Sequence, residues 1–394
     1  MISTENFLES LMAANPAAFE QVLKNRDSMR VQIVYTRIDR DKKNRPHFTD
    51  FYFNVKKEPY FYPASTIKLP VALLALEKLN NLGIPRNSTM ITEKNYGGQT
   101  VVYNDPTTAD GRPTVEHYVK KILTVSDNDA NNRLYEFLGQ QYIHDELSRK
   151  GYPETQIIRR LSISMTEDQH RTTNPISFRD TSGKIIFQQP QLSSSYPYLV
   201  RNDWIGKGFI NDAGVLVNEP MDFSRKNRIY LTDLHQVLRT VLFPESVSKE
   251  QRFNLTEDDY RFLYQYMGQL PGETTYPEYD TTEFYDSYCK FLMFGTQKHK
   301  ALPKHIRIFN KPGWSYGFLT DVAYIIDFEK NIEFMLSATI YANADGILND
   351  DKYDYDKIGL PFLEQIGQTI YHYELKRERK HQPDLSKFKV QYDK

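Results

Sequence analysis

The sequence predicts a mixed α/β (α+β) chain, with strands gathered at its two ends and helices between them. Three patterns carry that expectation. Near the start, Arg30–Thr36 and His47–Phe53 are β-rich runs around the polar turn Asp39–Asn44, which reads as a hairpin. Near the end, Phe309–Gly317, Thr320–Ile326 and Ile332–Ile340 read as three successive sheet strands. In between, apolar residues recur at helical spacing through Ser65–Leu82 and Thr114–Leu138.

The elements follow in chain order. Phe7, Leu8, Leu11, Met12, Ala18, Phe19, Val22 and Leu23 predict a helix over residues 5–25, interrupted near Pro16. The segment after Ser65 is too apolar to be anything but a buried helix; Gly83 can end it and Pro85 prevents its resumption. After a turn-rich stretch from Gly97 to Pro113, Thr114 can cap a helix that stops at Val125-Ser126-Asp127-Asn128, and the next helix stops at Gly139. A further helix is expected over Arg228–Phe243 and a closing one over Pro361–Tyr371. Pro312 inside a strand implies an edge position, where its missing N–H costs no ladder bond. The basic run Lys376–His381 suits a helix C-terminus and a frayed tail.

Bulk properties exclude several function classes. A chain of 394 residues holds one large domain or two ordinary ones. A formal net charge of −1 gives no reason to expect nucleic acid or an anionic membrane, and the 28 tyrosines and 23 phenylalanines are spread over core-like positions rather than a base-stacking surface. Cys289 is the sole cysteine, so no intrachain disulfide is possible. No apolar run approaches the ~20 residues of a membrane span. The first residues lack the basic and apolar regions of a signal peptide, so either the protein is cytoplasmic or the chain begins after a removed leader. There is no internal repeat. Gly206-Lys207-Gly208 lacks phosphate-loop spacing, Asp350, Asp351, Asp354 and Asp356 read as a solvated acidic loop, and no metal ligand set or cofactor motif is found.

Chemistry concentrates in three short motifs. In Tyr62-Pro63-Ala64-Ser65-Thr66-Ile67-Lys68 a turn delivers a serine and places a lysine one helical turn later on the same face. A serine hydroxyl needs a base, and a lysine serves only if desolvation or a second cation keeps it neutral. Taken alone, Ser-x-x-Lys equally describes a buried helix whose Ser65 caps the first turn and whose Lys68 snorkels to water. Ser126-Asp127-Asn128 is, by itself, a helix junction of good capping residues. The third motif is Lys311-Pro312-Gly313, followed by Trp314.

In this order and context the three resemble the motif set of the penicillin-recognising serine enzymes, most closely the class A β-lactamase-like serine hydrolases. Phe61–Pro70 is similar to that family's nucleophile turn, and Thr114–Asn128 to its run into the second motif. The resemblance implies a β-lactamase/transpeptidase-like fold, with an antiparallel sheet flanked by helices plus a mainly helical subdomain. It implies one catalytic domain over residues 1–394, its α/β part at about 1–58 and 300–394 and its mainly helical part at about 59–299. It also implies roles: Ser65 as nucleophile, Lys68 as its base, Ser126 as proton relay, Asn128 and Lys311 as substrate holders, and an oxyanion held by the N–H groups of Ser65 and Trp314 beside Gly313. The substrate would be a small acyl compound (β-lactam, peptide or ester), with no metal or cofactor and an extracytoplasmic or periplasmic location. Oligomeric state is left open.

Two departures limit the resemblance. Pro312 stands where the family carries a hydroxyl residue, which removes one bond to a substrate carboxylate. The run Arg160–Pro175 is similar to the loop that carries the family's deacylating glutamate, but the Glu-x-x-Leu-Asn pattern is absent; Glu167 or Asp168 could serve only with a rearranged loop, and a solvated carboxylate is the favoured reading of Glu167. Ser65 and Ser126 are 61 residues apart, close to the family's gap, whereas 185 separate Ser126 from Lys311. Much of the extra chain is expected at about 177–227, as strands and turns, with a smaller expansion near Pro271–Thr282. The alternatives are a cell-wall D,D-peptidase or an esterase on the same fold, and a binding module that kept the fold without turnover.

Overall fold

The computed structural model describes residues 6–394. The chain divides into two units, one formed by residues up to Thr66 with Val200–Leu238 and Tyr285–Lys389, the other by Ile67–Leu199, Arg239–Phe284 and Val390–Lys394.

The first unit is built on a five-stranded antiparallel sheet in the order Ile306–Ser315, Phe318–Asp327, Ile332–Tyr341, Gln32–Arg40, Pro46–Phe53. Phe318–Asp327 is buried at every position, which is why it reads as a nearly unbroken apolar run. Pro312 lies on the edge strand opposite Asp321, where a residue without an N–H is tolerated. The helices Phe7–Ala13, Pro16–Lys24 and Leu360–Lys376 join the sheet in one apolar core, through residues such as Phe19, Phe362 and Ile366 with Tyr35, Phe334 and Ile325. Pro16 starts the second helix, a position whose N–H has no partner in any case. His235, on the helix that begins at Leu231, lies 2.7 Å from the hydroxyls of both Thr36 and Ser337.

Part of the expected insertion belongs to this unit as small ladders. Trp204–Ile205 pairs with Met221–Asp222, and Gly208–Ile210 pairs with Leu216–Val217 and, in parallel, with Ile347–Leu348. Gly206 has a φ of +80°, and a side chain there would meet the Gly346 carbonyl oxygen at 2.6 Å, so only glycine fits this approach.

The C-terminal tail corrects an expectation, because it is held rather than frayed. The fully buried Glu374 requires cationic partners; Arg377 donates to it at 2.9 Å and also binds Asp39, and Arg379 binds it as well. Phe388 then packs against Phe309 and Tyr324 at 5.5 and 4.9 Å between ring centres.

The second unit is mainly helical. Its central helix, Lys68–Leu82, is buried without a break from Lys68 to Glu77 and ends at Gly83 in the left-handed conformation. Around it lie Val115–Val125, Asn128–Leu138, Gln140–Arg149 and Glu257–Gly268. Thr114 caps the first of these by accepting from His117 N. Glu77 forms a fully buried pair with Lys150 at 2.8 Å. A three-stranded sheet of Thr89–Thr92, Ile176–Arg179 and Ile185–Gln189 takes in the start of the expected insertion.

Candidate active site

The first unit carries the serine and the Lys311 motif. Ala64 adopts a φ of +45°, which turns the chain sharply into a single 3₁₀ turn, Ala64–Ile67, that runs directly into the helix from Lys68. The α-helix has no side-chain cap, so Ser65 is not engaged as one. The strand Ile306–Ser315 passes against this turn. A side chain on Gly313 would meet Ser65 N at 2.7 Å, Pro63 O at 2.8 Å and Thr66 N at 2.8 Å. The strand backbone and the Ser65 N–H can therefore share one small volume only because residue 313 is glycine.

Lys311 lies two residues back, hence on the same face of the strand. It is fully buried, and its Nζ donates to Pro312 O at 2.9 Å. Burial pulls its pKa down to about 8, opposed by the nearby Cys289 and Asp321, so its charge is lost as pH rises through that value. Three further polar residues, which the sequence reading did not single out, accompany the strand. Asp321 accepts from Asn310 Nδ2 at 2.8 and 3.0 Å and from Leu292 N at 3.2 Å, and burial raises its pKa to about 6. Lys290 Nζ donates to Ile308 O and to Asn310 Oδ1, each at 2.8 Å. Their one sequence signal was polarity inside otherwise apolar runs. Trp314 projects from the next position and packs edge-on to Tyr288 and Phe291, at 5.8 and 5.3 Å between centres.

The second unit carries the lysine and the Ser-Asp-Asn motif. Lys68 does not snorkel: it has no exposed surface. Its Nζ donates to the Ser126 carbonyl, to Ser126 Oγ at 3.2 Å and to Asn128 Oδ1 at 2.6 Å. The capping chemistry of the motif makes this convergence possible. Ser126, at a φ of +63°, closes one helix, and Asp127 caps the next by accepting from Ala130 N at 2.7 Å. Two helices thus meet at a sharp corner that aims Ser126 and Asn128 at the same ammonium. The Asn128 amide nitrogen in turn donates to Ser162 Oγ at 2.8 Å.

The loop that contains Glu167 is anchored from below. Buried Arg160 donates to Glu136 at 2.6 Å and to the carbonyls of Thr172 and Gln169 at 2.7 and 3.0 Å; the other Glu136 oxygen accepts from Asn174 N at 2.6 Å. Glu167 itself opens the short helix Glu167–Arg171, capped by Thr166, and its half-exposed carboxylate lies 3.1 Å from Arg171. Arg171 also donates to the carbonyls of Ser194 and Tyr196. Asp168 is exposed. Among the described residues, no group of three or more His, Cys, Asp and Glu is placed to hold a metal ion, and no helix is long and apolar enough to cross a membrane.

Residues 17–189 match the model of the Beta-lactamase2 family, described as a beta-lactamase enzyme family. No curated protein matches the chain. Among solved structures, a beta lactamase from Xanthomonas campestris pv. campestris is 14% identical with a TM-score of 0.50, over 94% of this chain and 100% of its own. A beta-lactamase from Desulfarculus baarsii is 12% identical with the same TM-score of 0.50, over 94% of this chain and 99% of its own. Likeness at such identity speaks for the fold, and the sequence match speaks for the segment that holds Ser65, Lys68, Ser126 and Asn128. Over nearly its whole length this chain is therefore similar in fold to β-lactamases, and over residues 17–189 it is similar in sequence to the Beta-lactamase2 family.

Proposed function

We propose that the protein is a serine acyl hydrolase that forms an acyl-enzyme on Ser65 and releases it slowly. The observation that carries this reading is the Lys68 knot: a lysine without exposed surface, bonded to Ser126 Oγ and Asn128 Oδ1. An apolar structural helix has no use for such an arrangement, whereas acyl transfer needs each part.

Ser65 and Lys68 are three residues apart on one continuous helical segment. In the proposed step Lys68, neutral after releasing a proton to solvent, takes the Ser65 hydroxyl proton as Oγ attacks the substrate carbonyl, and then hands that proton to Ser126 Oγ as Ser126 gives up its own. The leaving nitrogen or oxygen receives the proton given up by Ser126, and Asn128 holds the substrate amide. The N–H groups of Ser65 and Trp314 stabilise the oxyanion; one such donor is worth about 10²–10³ in rate. Lys311 adds a cation that attracts a substrate carboxylate, without help from a hydroxyl at position 312.

Slow release rests on the loop. Deacylation needs a base aimed at water, and Glu167 is engaged by Arg171 while Glu136 is engaged by Arg160 and Asn174 N. The substrate class is a small acyl compound, a β-lactam, peptide or ester, met outside the cytoplasm as in the family. A D,D-peptidase or esterase would share every step up to the acyl-enzyme.

Intact-mass spectrometry after mixing with a fluorophosphonate and, separately, with a penicillin tests the reading. One adduct is expected with each reagent, located on Ser65, absent in Ser65→Ala and persistent with the penicillin. Labelling that survives Ser65→Ala, or rapid catalytic destruction of a chromogenic cephalosporin, overturns it.

A further inference from the structure

Asn128, Asn132 and Glu136 follow one another at one-turn steps along the helix Asn128–Leu138, so their side chains form a polar stripe on one face. Taken from its far end, the stripe holds three consecutive residues of one loop. Glu136 accepts from the Arg160 side chain at 2.6 Å. Asn132 clamps the Leu161 backbone, donating to its carbonyl and accepting from its N–H, each at 2.9 Å. Asn128 then donates to Ser162 Oγ at 2.8 Å. All six residues belong to the second unit.

Ser162 is where this fastening carries a cost. Its φ is +53°, in the left-handed region that a residue with a Cβ adopts only under constraint. The residue is exposed, so burial of its own side chain does not impose that conformation. The clamp on Leu161 fixes the chain just before it, and the left-handed turn sets the hydroxyl against the Asn128 amide.

That amide is therefore held at both ends. Its Oδ1 accepts from Lys68 Nζ at 2.6 Å, and one of the two Nδ2 hydrogens goes to Ser162. The other Nδ2 hydrogen is left for a substrate carbonyl, and its direction is set because the amide is planar and both ends are engaged. Held at Oδ1 alone, the amide plane could turn.

We infer that Ser162 is a positioning residue for substrates that carry an amide beside the reacting carbonyl: acting through Asn128, it aims the remaining Nδ2 hydrogen at that amide's oxygen. The inference rests on the roles proposed above for Ser65 and Asn128. Adduct formation on Ser65 of the full chain is timed by intact-mass spectrometry with a penicillin, which has a side-chain amide, and with an alkyl fluorophosphonate, which has none. The readout is the ratio of the two second-order rate constants, penicillin over fluorophosphonate. In Ser162→Ala and in Ser162→Gly that ratio is expected to fall by about fivefold, the worth of one hydrogen bond. Glycine also relieves the left-handed strain, so the two variants should differ in stability and agree in the ratio. A merely structural loosening slows both reagents alike and leaves the ratio where it was. An unchanged or raised ratio in either variant overturns the inference, as does a wild type that reacts with the fluorophosphonate and not with the penicillin. A wild type in which the fluorophosphonate does not label Ser65 overturns the acyl-hydrolase reading itself, and the inference with it.

Discussion

The corner that holds Lys68 and the loop Arg160–Pro175 belong to the same unit, and both are organised by a buried cation, but they use it differently. At the corner the cation is the group proposed for chemistry. Three oxygens from Ser126 and Asn128 surround Lys68 Nζ, which matches the three donors of an ammonium. In the loop the buried cation is Arg160, which is permanently charged, and its partners are Glu136 and loop carbonyls. The acidic residue that could activate water lies outside that network, on the surface with Arg171. The corner gathers side-chain and backbone oxygens about the lysine proposed as a base, whereas the loop's buried charge fastens the backbone.

Substitutions can break this contrast. Lys68→Met replaces the ammonium with an apolar group of similar length, so folding should persist while fluorophosphonate labelling slows by about 10²–10⁴, the usual contribution of a general base. Unchanged labelling kinetics would mean that the corner is structural. Glu136→Ala leaves Arg160 buried without its carboxylate, an uncompensated charge that costs about 3–5 kcal/mol. Urea denaturation should register that loss, and a change below about 1 kcal/mol would place the loop's anchorage elsewhere. Glu167→Gln should have the smallest effect. It removes one surface pair four residues apart, worth a few tenths of a kcal/mol. The lifetime of the penicillin adduct should stay within about twofold, since this carboxylate is engaged by Arg171; a large increase would show that it is the base after all.

The features legible from residues alone are those whose physics is local. Pro16 begins a helix, Gly83 ends one and Thr114 caps one because each depends on the dihedrals or donors of a single turn. Pro312 marks an edge strand for an equally local reason, its lack of an N–H. The order of the three motifs was visible for the same reason, and with it the β-lactamase-like fold. Lys68 was the intermediate case: a lysine in an apolar helix suggested burial, while its acceptors lie 58 and 60 residues further on and left snorkelling open.

Other features depended on chain that is distant in sequence. Glu136 and Arg160 gave no sign of their pairing, and Asp321 looked like any strand residue until Asn310, Leu292 and burial surrounded it. Arg377 and Arg379 read as a basic tail because Glu374 alone does not reveal that it is fully buried. Backbone conformation is set largely by near neighbours. Whether a polar group keeps its charge, and what that charge holds, is set by which partners burial brings within hydrogen-bond reach, and those come from anywhere in the chain.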